Sequence, residues 1–504
     1  MANAIRKGFM PSAMHLQDIA MHPQDICRAS AKCLPCICKI MPEPIKALIV
    51  TNLKKGQSFG ANMAIQLSEH FTYQKLLRFT FPSIIMLVFT SIYGVVDGFF
   101  VSNFVGKIPF TAVNFIMPFL MILGSLGFMF GTGGGALIAI TLGQGRHKQA
   151  NRLFSLIVYS SAACGAALAL IGFLTIRPLS QALGARGQLL EDCITYGHII
   201  LAAIPAYILQ YEFQCLFATA EKPAMGLYVT IAAGLTNIIL DAIFVAVFRW
   251  GLEGAAAATA LSQCVGGIIP LIYFARPNKS LLRLGRTRFD ASALKKICIN
   301  GSSELMSNIS MSLVSMLYNV QLLRYAGEDG VAAYGVLMYV SLIFQAVFIG
   351  YSVGTAPVIG YNYGAQNSPE LKGLLRKTMV LMGTFAVIMY AAANALAAPL
   401  SYIFTGYDEG LFRLTSRAFF FFSFSFLFSG FAIFGSSFFT ALGNGLISAA
   451  ISFLRTLVFQ TAAILTFPLI WGVDGIWLST VAAEVLALGV TIFFLQGNRE
   501  KYHY

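Results

Sequence analysis

Beyond residue 70 the chain alternates long apolar runs, many of 20 residues or more, with short polar stretches. A run of about 20 apolar residues is long enough to cross a ~30 Å hydrocarbon layer as a helix. Lipid offers no partners to backbone groups, so only helices and closed barrels can span it, and these runs lack the alternation of barrel strands. The pattern predicts twelve spans, at roughly 77–102, 110–142, 153–176, 190–215, 224–248, 253–275, 294–323, 330–361, 374–398, 411–436, 444–470 and 474–496. Residues 1–62 have a different character: polar, mildly basic, dotted with Met and Pro, and without a run long enough to span. They are expected to form a disordered extension, with the natural start at Met63 and Ala64 to Lys75 forming an amphipathic lead-in.

The apolar pattern is written twice. An offset of 221 (471 − 250) lays Trp250-Gly251-Leu252-Glu253-Gly254 on Trp471-Gly472-Val473-Asp474-Gly475. The same offset pairs Thr219-Ala220 with Thr440-Ala441 and Thr259 with Thr480. Gly131, Gly135 and Gly145 match Gly350, Gly354 and Gly364 at an offset of 219 (350 − 131). Two halves of six spans follow, residues 63–275 and 297–504, joined by a long loop at 276–296. Six is even, so the halves run the same way through the membrane, related by an axis along its normal. That is a transporter architecture with a cavity between the halves.

Composition sharpens this picture. The chain is 57% hydrophobic and 11% charged, against about 25% charged in a soluble domain. Its net charge of +13 does not point to nucleic acid, because the basic residues sit in short loops between spans. With the N-terminus inside, inner loops hold Arg146, Lys148, Arg152, Lys222, Lys372, Arg376 and Lys377, and the long loop adds more. Outer loops hold far fewer, so both termini are expected in the cytoplasm of a plasma-membrane protein. Cys33, Cys36 and Cys38 cluster without the second pair or histidine of a zinc site, and the remaining cysteines in spans read as packing residues.

Ionisable groups inside a span are expensive and therefore candidates for function. Asn237 and Asp241 are four apart on one helix face. Counting 1.5 Å per residue from the span ends puts Asp241 ~12 Å deep, Asp97 ~15 Å, Thr259 ~9 Å and Tyr196 ~6 Å, all on the outer side of the first half. Two carboxylates, an amide, a hydroxyl and a phenol at similar depth suit a hard cation or shared protons. The second copy carries Val458 and Ala462 where the first has Asn237 and Asp241. In the second half Glu304, Arg455 and Glu484 are the intramembrane charges. Glu304 is expected either to meet substrate, to titrate, or to neutralise Arg455. Glu212 is expected at the interface, and the aromatic run Phe419 to Phe428 as lipid-facing bulk more than cavity lining.

At this level of detail the chain resembles the multidrug and toxic compound extrusion (MATE) family of antiporters over about residues 70–496. The resemblance rests on the twelve spans in two halves and on Ile92-Tyr93-Gly94-Val95-Val96-Asp97 with Val105-Gly106. It also rests on Gly143-Gln144-Gly145 with Ala150-Asn151, on Asn362-Tyr363-Gly364-Ala365, and on the duplicated Trp turn. It implies an all-α fold with an outward-facing V between two lobes and export of organic cations and drugs against Na+ or H+. A first-lobe cation site is implied at Asp97, Tyr196, Asn237, Asp241 and Thr259, with neutralisation bending span 1 near Pro82. Glu304 in Gly301-Ser302-Ser303-Glu304 is similar to a family motif, with Ser where a Pro is usual, and span 10 lacks an acid that some members use. No cofactor beyond the coupling ion and no partner chain is implied; the protein is expected to work as a monomer. The alternative is a flippase for a lipid-linked oligosaccharide or cell-wall precursor, but its pyrophosphate cargo would call for buried cations, and here buried acids outnumber Arg455. An embedded enzyme is disfavoured, since it would need clustered nucleophiles or ligands and the spans offer only the isolated His198.

Overall fold

A computed structural model describes residues 65–182, 184–278, 280–406 and 408–504. The expectations for residues 1–62, for a start at Met63 and for Cys33, Cys36 and Cys38 lie outside them. The described residues are predominantly helical, and the order of the helices reproduces the twelve predicted spans. Spans 1–6 are Tyr73–Phe100, Lys107–Gly143, His147–Ala182, Gln188–Thr219, Pro223–Asp241 and Gly251–Ala275. Ala291–Gly364 is a continuous helical run of 74 residues, far longer than one crossing needs, but Gly327 breaks it with φ 65° and makes it spans 7 and 8. Span 9 is Ser368–Thr405. Span 10 is Glu409–Ser423 followed by Phe426–Ala441, bent by 49° at the junction. Span 11 runs from Gly445 to Trp471 and span 12 from Val473 to Gly497.

Three of these spans contain a turn of π-helix: Val101–Val105 after span 1, Ala242–Val247 directly after Asp241, and Leu454–Phe459, which contains Arg455. Such bulges insert a residue into the helical ladder and gather at functional sites.

The four turns on the basic end are built alike. Each span closes with a residue in the left-handed region and a bond from the next amide to a carbonyl five residues back. The bonds are Arg146 to Thr141 (3.1 Å), Lys222 to Phe217 (2.8 Å), Asn367 to Asn362 (2.9 Å) and Asn444 to Phe439 (2.8 Å). Gly145, Glu221, Gln366 and Gly443 occupy the left-handed positions. This geometry corrects the register of the repeat. Gly145 corresponds to Gln366, an offset of 221, and not to Gly364; Glu221 corresponds to Gly443, an offset of 222, so the Thr-Ala pairing slips by one. The Trp turns do match at 221, with Gly251 (φ 62°) and Gly472 (φ 57°) in equivalent places.

The long loop does more than connect. Leu282 is fully buried, and the backbone amides of Arg283 and Gly285 donate to Asn151 Oδ1 (2.7 Å) and Ser155 Oγ (3.0 Å) on span 3. It is a strap bound to the first half. On the same end, the segment leading into span 1 touches both halves. The Leu67 amide donates to Glu221 Oε1 (2.6 Å) and the Phe71 amide to Glu370 Oε1 (2.9 Å).

The halves meet at this basic end through bare backbone. A Cβ on Gly301 of span 7 would overlap the Met129 carbonyl of span 2, and one on Gly364 of span 8 would overlap the Ile140 carbonyl. On span 8, a Cβ at Gly350 would lie 2.6 Å from the Ile84 Cα of span 1. Helices in lipid gain little from the hydrophobic effect on association, so small residues that let backbones approach closely supply the packing. Gly301→Val and Gly364→Val are expected to wedge this seam open and to destabilise the protein by roughly 1–3 kcal/mol. Gly489→Ala, which has open space around it, should leave the thermal unfolding midpoint unchanged. Equal midpoints for all three variants in detergent would mean that the seam carries no packing energy.

Candidate functional site

The five first-half residues arrive from four spans. Asp97 lies in the last turn of span 1, Asn237 and Asp241 end the α-helical part of span 5, Thr259 sits on span 6 and Tyr196 on span 4. The structure brings them together. Thr259 Oγ1 donates to Asp97 Oδ1 (3.2 Å), and Asn237 Nδ2 reaches Asp97 Oδ1 (3.5 Å) and Thr259 Oγ1 (3.4 Å). Tyr196 stands beside both Asp97 and Asp241, and the two carboxylates adjoin one another. Asp241 is fully buried, Asn237 and Tyr196 are 1% exposed, and Asp97 is 9% exposed.

Hydrogen bonding is incomplete here. Asn237 Oδ1 and both Asp241 oxygens have no partner among the described residues. A buried acceptor without a donor costs about 1–3 kcal/mol, and a bare buried carboxylate costs more. Two adjacent carboxylates without a positive side chain between them cannot both stay ionised and unaccompanied. The cluster therefore fits a small cation, whose ligands would be the carboxylate and amide oxygens, or a proton shared by the two acids.

The second half repeats this geometry with different chemistry. The offset that carries Thr259 to Thr480 carries Asp97 to position 318 (97 + 221), which is Tyr318. Its hydroxyl bonds to Thr480 Oγ1 (2.7 Å) and Ser479 Oγ (2.6 Å), as Asp97 bonds to Thr259. A neutral phenol with satisfied bonds replaces a carboxylate, and neither Val458 and Ala462 at the offset of 221 nor Phe459 and Ala463 at 222 supply a further acid. Sequence reading had not singled out Tyr318; the repeat offset applied to Asp97 would have found it.

Between the halves lies a cavity of about 240 Å³. Span 2 (Phe128, Gly131) and span 4 (Cys215) contribute one wall, and spans 7, 8 and 10–12 the others. Glu304, Arg455 and Glu484 all line it, while the five first-half residues do not. Arg455 is paired with Glu484: Nε donates to both carboxylate oxygens (3.0 and 2.9 Å) and Nη2 to Oε1 (2.8 Å). Of the alternatives for Glu304, direct neutralisation of Arg455 is thus not the one adopted, because span 12 presents Glu484 to the guanidinium. The Glu304 carboxylate lies within electrostatic reach of Arg455 but has no hydrogen bond or ion pair among the described residues.

Two further expectations need correction. Glu212 is not interfacial: it is fully buried and neither carboxylate oxygen has a partner that meets hydrogen-bond geometry among the described residues. Span 4 is the central helix of its half, so even its basic-end third is enclosed. The aromatic run is not uniformly lipid-facing either. Phe419, Phe422 and Phe426 are buried and Phe422 lines the cavity, whereas Phe420 is half exposed. The bend within span 10 turns part of the run inward.

Tyr318→Phe removes one hydroxyl and leaves Ser479 and Thr480 short of a partner, so it is expected to destabilise the second half by about 1–3 kcal/mol. A thermal midpoint equal to that of the unaltered protein would show that these two short bonds are not contributing.

Comparison with known proteins agrees with this architecture. The MatE family model matches residues 82–243 and 305–464, one stretch in each half. The multidrug export protein MepA of Staphylococcus aureus (strain MRSA252) is 23% identical over 434 residues, covering 83% of this chain and 93% of MepA. MepA of Staphylococcus haemolyticus is 25% identical over 319 residues, 63% of this chain and 70% of that one. Among solved structures, a MATE in complex with MaL6 superposes with a TM-score of 0.83 at 22% identity, over 88% of this chain and 99% of the other. A multidrug resistance MATE family transporter of the MOP superfamily in its outward-facing conformation gives 0.83 at 21%, with the same coverage. With the family model spanning both halves of a twelve-span, two-lobed chain, this protein belongs to the MATE family of membrane transporters.

Proposed function

We propose that this protein is a secondary antiporter that exports organic cations and drugs across the plasma membrane in exchange for Na+ or H+. The observation that carries the reading is a separation of two acidic sites. Asp97 and Asp241 form a closed, incompletely bonded cluster within one half. Glu304 stands unpaired in a different place, the cavity between the halves. The first suits a small ion and the second a larger cation, as an exchanger needs. MepA, named as a multidrug export protein, supports the cargo class. The preponderance of buried acid over Arg455 speaks against an anionic pyrophosphate cargo.

The basic end is the cytoplasmic one in this reading, by the distribution of Arg and Lys in short loops. The backbone seam at Gly301 and Gly364 then closes the inner side, which supports reading this arrangement as the outward-facing state. A proton or monovalent cation entering the first-half cluster cancels one of its two carboxylate charges and gives the free oxygens of Asp241 and Asn237 a partner. Tyr196 and Thr259 hold the carboxylates in place while the charge changes. Removing the repulsion between two ionised acids lowers the cost of packing them tightly, so the ion-loaded half favours a different arrangement of spans 1, 5 and 6 from the ion-free half. Coupling requires only that difference in preference, and it is reciprocal: cargo that favours one state must weaken ion binding in it. The two halves rocking about the seam carry the cavity from one side to the other. One subunit contains both sites, and the monomer is proposed as the working unit.

Ethidium efflux from energised inverted vesicles tests this, with sodium and proton gradients imposed separately. The unaltered protein should respond to one of them. Asp241→Asn should lose gradient-driven efflux while still binding ethidium, because the cavity is untouched. Full ion-driven efflux in Asp241→Asn would refute the coupling site, and no ethidium transport under either gradient would favour the flippase.

A further inference from the structure

The charges lining the cavity are few enough to count. Glu304 contributes −1, Glu484 −1 and Arg455 +1. Arg455 and Glu484 are joined by three hydrogen bonds of 2.8–3.0 Å, with side chains 13% and 2% exposed. We propose that this ion pair sets the charge of the cargo: by cancelling Glu484 it leaves Glu304 as the single uncompensated acid, so the cavity selects cations carrying one positive charge over those carrying two. The inference rests on the cation-cargo reading above and refines it.

Three observations support it. The pair is not a requirement of the helix packing that holds it, since the turns flanking span 11 give offsets of 222 and 221, which set Arg455 against Ala233 or Gly234, and the offset of 221 sets Glu484 against Gln263. The first half packs its equivalent spans with no ion pair at those positions. Second, Arg455 is carried by the π-helical turn Leu454–Phe459, a local departure from the α-helix found where a side chain serves function. Third, the second half has no ion cluster of its own among the described residues for these acids to serve. Tyr318 stands where the first half has Asp97, so Glu304 and Glu484 are left facing the cavity. In a low-dielectric cavity an unmatched second charge is penalised far more than in water. A dication would bring one charge with no partner, and a neutral molecule would leave Glu304 unmatched.

Ethidium and propidium share a ring system, and propidium carries in addition a propyl chain ending in a second positive charge, so cargo charge is read from how the ratio of the two affinities changes between variants of the same cavity. The test is fluorescence titration of the purified full chain with each dye, in four forms: unaltered, Arg455→Gln, Glu484→Gln, and the double variant. The unaltered protein should favour ethidium. Arg455→Gln releases Glu484 and should shift the ethidium-to-propidium preference toward propidium by about tenfold or more. Glu484→Gln frees Arg455 to neutralise Glu304 and should weaken ethidium by a similar factor. The double variant returns the cavity to one net negative charge and should regain the ethidium preference, even if Arg455→Gln alone folds poorly. A purely structural ion pair would instead give one unchanged dye ratio in every form that folds, and that result overturns the proposal. Failure of the unaltered protein to bind either dye would remove the cation-cargo reading itself, and this refinement with it.

Discussion

A carboxylate in a hydrocarbon-flanked bundle has three ways to exist: paired with a cation of the protein, protonated, or holding an ion from solution. The organisation of this protein follows from using different solutions in different places. Glu484 takes the first, bonded three times to Arg455. Asp97 and Asp241 have no basic side chain among their partners and are left to the second or third. Glu304 is left open to the cavity. Everything proposed about coupling and cargo depends on these acids not being interchangeable. If Arg455 paired with Glu304 instead, or if a lysine reached Asp241, the same fold would have no reason to exchange anything.

The duplicated halves make the contrast legible, because the backbone is nearly common to both. Turns of the same geometry end spans 2, 4, 8 and 10, and the Trp turns match in register and in left-handed glycine. Thr259 and Thr480 occupy equivalent places, yet one accepts a carboxylate as its neighbour and the other a phenol. Tyr318 in place of an acid, together with apolar residues where the first half has Asn237 and Asp241, converts a site with unmet charge into a satisfied hydrogen-bond cluster. The division of labour between halves thus needs no change of fold, only of a handful of side chains set at conserved geometry within one chain.

The seam at the basic end shows how two such halves can be held together without being fixed. Its contacts are backbone against backbone, through Gly301, Gly350 and Gly364. Dispersion between close backbones is short-ranged and nearly free of specific polar bonds. It holds while the surfaces touch and is lost over a small separation. The segment before span 1 adds polar bonds to both halves, through Glu221 and Glu370, and the buried loop after span 6 stays with the first half alone.

Hydrophobicity summed along one helix is a local quantity, and the sequence by itself therefore determined the twelve spans, the two halves and the outlying polar positions. Depth counted along each span placed Asp97, Tyr196, Asn237, Asp241 and Thr259 at similar levels, because helical rise is fixed, but that span 1 packs beside spans 5 and 6 is a matter of tertiary structure. What depends on how helices rotate and cross was decided only in the tertiary structure. Arg455 chose Glu484 over Glu304 because span 12 turns that face toward span 11. Glu212 became buried because span 4 is surrounded, which no pattern within span 4 records. Gly145 was matched to Gly364 by identity, whereas turn geometry matches it to Gln366, since a left-handed position constrains the backbone and not the residue type. The bend in span 10, which turns part of an aromatic run toward the cavity, likewise arises from packing between helices and leaves no periodic trace in the chain.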